Sequence, residues 1–364
     1  MSVTIDITGL PPEQIRFVPS PLAELTAMLH VLAEPNHHPE LLGWATATLS
    51  SLPSGLADRL LDAEALWRSA RADFLLPGRP GATLADELDA VDRISDEAYA
   101  TAALTSQRAT ASAFEAPPSP LSDPAARERA LDVARAGGPR QAAFAERLLA
   151  DPPAVRAWVR RLLDDCEEAF FADTWQRARH HLAADARQKS DLLSRHGPEQ
   201  TLAAVSSAIT LDTAHQRRRI VIDKLQDVST STTAETGLTF VPSDFGRPHL
   251  TIVFSPGWHP VVQYPAARPG LDHPAAPEVV RRRLDALAHP VRLRLCRTLA
   301  RGPHTTGELA AYWQLTAPEV SRQLAVLKKA GLLVTHRRGR YVRYELDLAT
   351  SARLGTDLLE ALLR

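Results

Sequence analysis

Four prolines occupy the fourteen residues from Pro265 to Glu278 (PAARPGLDHPAAPE). Proline fixes φ and lacks a backbone N–H, so neither a helix nor a central strand runs through such a stretch. The chain must therefore be built as separate pieces on either side of it. The charge changes at the same place. From Arg281 to Asp347 there are fourteen basic and five acidic residues, a net of +9. The whole chain has 42 basic and 43 acidic residues, which leaves −10 for the remainder. A near-neutral total thus hides a basic C-terminal segment joined to an acidic body. That asymmetry suits a polyanion-binding module attached to something that does not bind polyanions.

A length of 364 residues suits two or three domains. We expect a body over residues 1–264, a linker over 265–278 and a second domain over 279–364. A further candidate break is the proline-rich 116–124 (APPSPLSDP). The body alternates as a short strand in VTIDI, then turns helical in PLAELTAMLHVLAE, ELLGWATATL, GLADRLLDAEALWRSARADFLL and LADELDAVDRI. Helical spacing persists from Ala154 until Gly197, which can end it in a left-handed conformation. RRRIVIDKL, GLTFV, HLTIVF and PVVQY are short and β-branched or aromatic, so they read as strands of one small sheet that VTIDI can join. The fold class expected is mostly α with a small β-sheet (α+β). No apolar run approaches the roughly 20 residues of a membrane span, and no signal peptide is apparent. Two widely separated cysteines, Cys166 and Cys296, fit a reducing cytoplasm and no disulfide framework.

Beyond the linker, Leu284, Leu287, Val291, Leu295 and Leu299 recur at helical spacing, with Pro290 kinking or restarting the helix near His289. Gly302 and Pro303 stop it. Thr305 or Thr306 then caps a helix that turns Leu309 and Trp313 inward. In TAPEVSRQLAVLKKAGLL, Thr316 and Glu319 have capping-box spacing, and Pro318 fits the first turn. Val320, Leu324 and Leu327 share the inner face, leaving Ser321, Arg322, Ala325, Lys328 and Lys329 outside. Gly331 closes the helix. LLVTHRRGRYVRYEL reads as a hairpin turning at Gly339, with Val342, Tyr344 and Leu346 on one face. The order of these elements is that of a winged helix-turn-helix, whose third element enters the DNA major groove.

The segments ALAHPVRLRLCRTLARGPHTTGELA and VSRQLAVLKKAGLLVTHRRGRYVRYEL resemble the ArsR/SmtB family of bacterial winged-helix repressors. The likeness rests on the HPVRL opening, the S-x-x-L-x-x-L-x-x-AGL helix and the RRGRYVRYEL wing. It covers under a quarter of the chain. It implies a cytoplasmic, dimeric regulator of transcription, a repressor, binding double-stranded DNA at a palindromic operator. Ser321, Arg322 and Gln323 would contact groove or bases. Lys328 and Lys329, two of only four lysines in the chain, would meet phosphate. Arg337, Arg338 and Arg340 would enter the minor groove or clamp the backbone. Thr305, Thr306, Thr316, Ala317, Pro318 and Tyr341 complete the contact set. Dimerisation is implied through Leu284, Leu287, Leu354, Leu358 and Leu362. Two departures stand out: Gln323 replaces a histidine frequent in the family, and ELAAYWQL lacks the cysteine pair of its arsenic sensors. The body also resembles an uncharacterised sensor-like region, so a small-molecule effector is expected there.

No Gly-rich phosphate loop, G-x-S-x-G or H-E-x-x-H occurs, so no enzyme is expected. Readings from other classes are an enzyme with a regulatory winged helix and a protein-interaction scaffold. His30, His37, His38 and Glu40, like His180 and His181, invite a metal. Adjacent histidines seldom share one ion, so a loop or surface role is expected, with no metal and no cofactor. DDCEE (164–168) reads as a solvated acidic face and Cys296 as packing. Trp158, Phe170, Phe171 and Trp175 read as core rather than as the lining of a pocket.

Overall fold

The computed structural model describes residues 2–105, 118–224, 227–233, 235–267, 275–338 and 341–363. Most of the proline-rich linker (268–274), the hairpin turn at Gly339 and the expected contact Arg340 lie outside these residues, as do the side chains of Arg338 and Tyr341. The chain divides into two compact units, Met1–Asp272 and His273–Leu363. Mostly helical with small sheets, it has the α+β class its patterns imply. Among the described residues no helix is long and apolar enough to cross a membrane.

The first unit contains two four-stranded sheets where the sequence suggested one. In one, Ser2–Asp6 is an interior strand, antiparallel to Arg219–Asp223 and parallel to Val228–Ser231, with Ile209–Asp212 at the far edge. In the other, the buried strand Leu238–Ser243 runs parallel to Ile15–Phe17 and Val261–Pro265, and Thr251–Val253 closes the row. Full burial explains why this strand reads as a continuous run rather than an alternation. Sequence pattern missed the three-residue Ile15–Phe17 and the polar edge Val228–Ser231. Both sheets contribute to one cluster, in which Ile5, Ile220, Phe240 and Val262 meet Leu193, Leu202 and Val205 of the long helix Ala172–Val205.

That helix is interrupted where Gly197 takes φ 76°, and Pro198 restarts it. The expected terminator is therefore a kink, because proline suits the first turn of a new helix. A π-helical turn, Glu167–Phe171, precedes Ala172. The expected long helix from Gly55 to Leu76 is instead Ser54–Ala63 followed by short 3-10 turns. The stretch 116–124 does not divide the body. A single apolar cluster includes Leu22, Met28 and Tyr99 before it and Phe144, Leu162 and Phe171 after it. Asp123, at its end, caps Pro124–Gly137 by accepting from the Ala126 N–H. Trp158, Phe170 and Trp175 pack against this cluster around the fully buried Phe171, and Arg147 lies 4.6 Å over the Trp158 ring.

Within the helix Pro21–Ala33, Glu24 is buried. Its Oε1 accepts from the N–H groups of Asp244 (2.9 Å) and Phe245 (3.2 Å), while Oε2 meets no hydrogen-bond partner among the described residues. Burial pushes its carboxyl up to about 7. A folded-state pKa above the unfolded one stabilises the protonated fold, and that contribution is lost as pH rises through about 7. Glu24→Gln should thus match the parent near pH ~5 and exceed it in urea resistance near pH ~8. Parallel stability curves for the two chains across that range would contradict this assignment.

The second unit runs Pro277–Leu287, Pro290–Leu299, the short strand His304–Thr305, Thr306–Trp313, Ala317–Lys329, the hairpin Leu333–Arg338 and Tyr341–Leu346, then Leu348–Leu363. His289 separates the first two helices and caps the second, accepting from the Val291 N–H. Leu295, Leu299, Leu309, Val320 and Leu324 form the core, with Trp313, Tyr344 and Leu346 against it. The strand His304–Thr305 adds a third member to the hairpin sheet by pairing with Arg343 and Tyr344. Val342, expected inside, is exposed because it pairs with Arg337 near the hairpin tip, beyond the core.

Candidate nucleic-acid interface

The helix Ala317–Lys329 is set by its two ends. Thr316 accepts from the Glu319 N–H at 3.3 Å, but among the described residues the reciprocal bond of a capping box is absent. The complete box lies one helix earlier. There Thr305 accepts from the Glu308 N–H, and Glu308 accepts from the Thr305 N–H at 2.7 Å. At the other end Gly331 takes φ 70°, and the Leu332 N–H returns to the Leu327 carbonyl. Val320, Leu324 and Leu327 face inward. Between the two helices Gln314 takes a left-handed conformation (φ 53°), which turns the chain within three residues.

Thr316, Ala317, Pro318, Ser321 and Arg322 form an exposed strip over the first two turns, and Lys328 and Lys329 are exposed in the last. Cations at that end also suit the helix dipole. Gln323 is half-buried, and its amide oxygen accepts from Arg292 (3.1 Å), whose other nitrogens donate to the carbonyls of Asp285 and Ala286. Arg292 thus joins the end of the first helix to the candidate reading helix, and it holds Gln323 at the margin of the strip. Thr305 and Thr306 are half-buried, with the Thr305 hydroxyl engaged by its cap. Arg337 is exposed on the wing.

Surface cations with and without carboxylate partners occur in both units. In the body Arg59, Arg68, Arg135, Arg140 and Arg160 are paired whereas, among the described residues, Arg93, Arg129, Arg161, Arg179, Arg187 and Arg195 are not. In the second unit Arg281 pairs with Asp285. Arg322, Lys328, Lys329 and Arg337 have no ion-pair partner among the described residues. Unneutralised charge beside an exposed helix face is what a polyphosphate can use.

Among the expected dimer contacts, Leu284 is 39% exposed and Leu362 66%. Leu287, Leu354 and Leu358 are half-buried. The inner face of Leu348–Leu363 instead buries Asp357, which accepts from Arg283 at 2.6 Å.

A second group of titratable residues lies in the body. His30, His38 and His249 bring ligand nitrogens within 4.8 Å of one another, and the His37 ring is alongside. Desolvation pulls His30 down to about 3 and His38 to about 4. Glu40 is exposed, as is His180, while His181 stands 3.6 Å from Asp244. Sequence reasoning grouped His30, His37 and His38 with Glu40 but favoured a loop or surface role, and it missed His249, which joins from 219 residues beyond His30 where no spacing rule reaches. Cys166 and Cys296 are buried, their thiols pushed up by desolvation to about 12 and about 11.

Comparison with known proteins divides the chain in the same way. Residues 1–270 match a family described as "Family of unknown function (DUF5937)", and residues 287–336 match a helix-turn-helix domain. The biofilm growth-associated repressor of Agrobacterium fabrum is 44% identical over 71 residues, 20% of this chain and 61% of that protein. The chain thus spans about three-fifths of the length of that relative. The transcriptional repressor SdpR of Bacillus subtilis is 31% identical over 62 residues, 17% of this chain and 69% of that protein. The crystal structure of the transcriptional repressor BigR from Xylella fastidiosa covers 22% of this chain and 83% of its own at 37% identity, with a TM-score of 0.20.

Proposed function

Because this chain belongs to the DUF5937 family over residues 1–270 and carries an ArsR-type helix-turn-helix domain behind it, we propose that it is a DNA-binding transcriptional regulator, acting as a repressor. The observation that carries this reading is the exposed strip Thr316–Arg322, flanked by cations without carboxylate partners. A B-form major groove accepts one helix, and phosphates on either side supply most of the affinity. Ser321 and Arg322 are the residues assigned to base edges. Lys328, Lys329 and Arg337 are assigned to the backbone, and the family resemblance adds the wing residues Arg338, Arg340 and Tyr341 to the contact set. Gln323, held by Arg292, is assigned to the edge of the contact. Thr305, Thr306, Thr316, Ala317 and Pro318 bring helix N-termini toward phosphate. Genomic fragments captured by the full chain should share a palindrome with half-sites about one helical turn apart. Fragments with no common sequence would defeat the proposal of a specific regulator.

The same proposal makes the active species a homodimer. Leu284 and Leu362, on the helices Pro277–Leu287 and Leu348–Leu363, leave apolar surface exposed, and a two-fold seam would cover it. Replacing both with glutamate should turn a dimer into a monomer of the same helicity in sedimentation runs. A parent chain that sediments as a monomer would remove this part of the proposal. The body would act as sensor, since an effector that binds one dimer geometry more tightly shifts DNA occupancy by that difference.

A further inference from the structure

Four of the histidines in the body lie together: His30, His38 and His249 converge their ligand nitrogens, and the His37 ring is beside them. His30 is on the helix Pro21–Ala33, His37 and His38 are in the turns that follow it, and His249 lies just before the strand Thr251–Val253. His30 Nδ1 faces the Trp67 carbonyl at 3.0 Å, and His38 Nδ1 faces the Arg247 carbonyl at 2.5 Å. A carbonyl only accepts, so each Nδ1 carries the proton and each Nε2 keeps its lone pair. His38 is 3% exposed, and its Nε2 has no hydrogen-bond partner among the described residues. His30 Nε2 is 3.2 Å from His249 Nε2. The Nδ1 of His37 is also buried without a partner.

We propose that His30, His38 and His249 ligate a single divalent transition-metal ion of the zinc class, with His37 placed to supply the fourth nitrogen. The distances agree with tetrahedral imidazole coordination. Zinc–nitrogen bonds of about 2.0–2.1 Å put two ligand nitrogens about 3.3 Å apart and the ring centroids about 5 Å apart. The centroids of His30, His38 and His249 are separated by 4.9, 5.1 and 5.3 Å. Those of His37 are 5.6 to 6.3 Å from the other three, so it has the longest reach. The carbonyls of Trp67 and Arg247 occupy the place of the outer acceptors that orient ligating histidines and fix their tautomer. An ordinary hydrogen-bonded cluster explains the His30–His249 contact, but it leaves the buried lone pair of His38 with nothing to accept from. Imidazole-only donors favour zinc, copper, nickel or cobalt over magnesium or calcium. Arg71 is the cation that faces the cluster, and its guanidinium is held by the Gln263 amide oxygen. The site is independent of the DNA-binding reading.

The test uses the full chain, stripped by a chelator and titrated with Co(II). The expected result is one ion per chain with the visible bands of a nitrogen ligand field, displaced by one equivalent of Zn(II). His38→Ala and His249→Ala should each weaken uptake at least about 100-fold, beyond the loss typical of an outer-shell partner, while His180→Ala leaves it unchanged. Circular dichroism checks that the variants remain folded. Should they unfold, the parent spectrum still decides, because a thiolate charge-transfer band would place the ion on cysteine and overturn the proposal. Absence of saturable uptake by the parent, or uptake preserved in a folded His249→Ala chain, would overturn it as well.

Discussion

Alanine at Asp357 should cost the C-terminal unit about 3–5 kcal/mol, the usual loss when one member of a buried ion pair is removed. Asp357 lies on the last helix with its side chain 4% exposed, and Arg283 on the first helix of the unit is 15% exposed. Arg353, one turn before Asp357, stands 3.6 Å from its other oxygen. Deleting the carboxylate leaves the largely buried Arg283 guanidinium without its hydrogen-bonded partner, with only the weaker influence of Asp347 remaining. That penalty exceeds what a surface pair such as Arg281–Asp285 contributes. The decisive comparison is with the double replacement Arg283→Met and Asp357→Leu, which removes both charges and should recover most of the loss. Hydrogen exchange of the amides in Pro290–Leu299 reads the stability of this unit apart from the body. A loss below about 1 kcal/mol in Asp357→Ala would mean that the pair is solvated in solution.

The second large effect concerns DNA. Between about 50 and about 200 mM salt, affinity for the operator should fall about 10³–10⁵-fold, as for dimers that neutralise six to ten phosphates. Within that total the named residues separate by role. Arg322→Ala should cost about 1–3 kcal/mol at the preferred sequence and relax the preference at one base pair, because a bidentate fork to guanine is lost. Lys328→Ala with Lys329→Ala should weaken binding to every sequence alike and reduce the salt slope by about 2 per protomer, about 4 for the dimer. Specificity left intact by Arg322→Ala would mean that another face of the helix enters the groove. Binding insensitive to salt would remove the electrostatic basis of the proposed function.

The two units differed in how far their sequence could be read. In the C-terminal unit each element carries its own local signal. Thr305 and Thr316 cap, Pro290 restarts a helix, Gly331 ends one, and Val320, Leu324 and Leu327 repeat at helical spacing. Among the details that escaped, the Arg292–Gln323 bond and the strand His304–Thr305 both depend on a partner from another element. In the body the helices were legible only in part. Asp96–Thr105, Pro124–Gly137 and Pro139–Ala150 were not read, the expected helix from Gly55 to Leu76 is broken, and the grouping of the strands was not legible. Nothing local separates Arg219–Asp223 from Leu238–Ser243 into different sheets, because strand pairing is chosen by long-range packing. The histidine cluster was legible only in part, with His30, His37 and His38 grouped in sequence and His249 missed for the same reason. Adjacent His37 and His38 argued against a shared ion, whereas the geometry depends on His30 and on a residue from the far end of the body.

The interior position of Ser2–Asp6 has a consequence for the order in which the protein is made. This strand is synthesised well before its partners, Arg219–Asp223 and Val228–Ser231. Throughout that interval an apolar, β-prone segment must wait unpaired, the kind of edge that nascent chains have to protect from one another. The helices before Arg219 can condense meanwhile, since every buried member of their apolar cluster except Phe245 precedes Arg219. Closure of the sheet is then a late step spanning most of the body, and such long-range pairings are slow. A nascent chain arrested before Arg219 should therefore be compact, helical and dependent on chaperones.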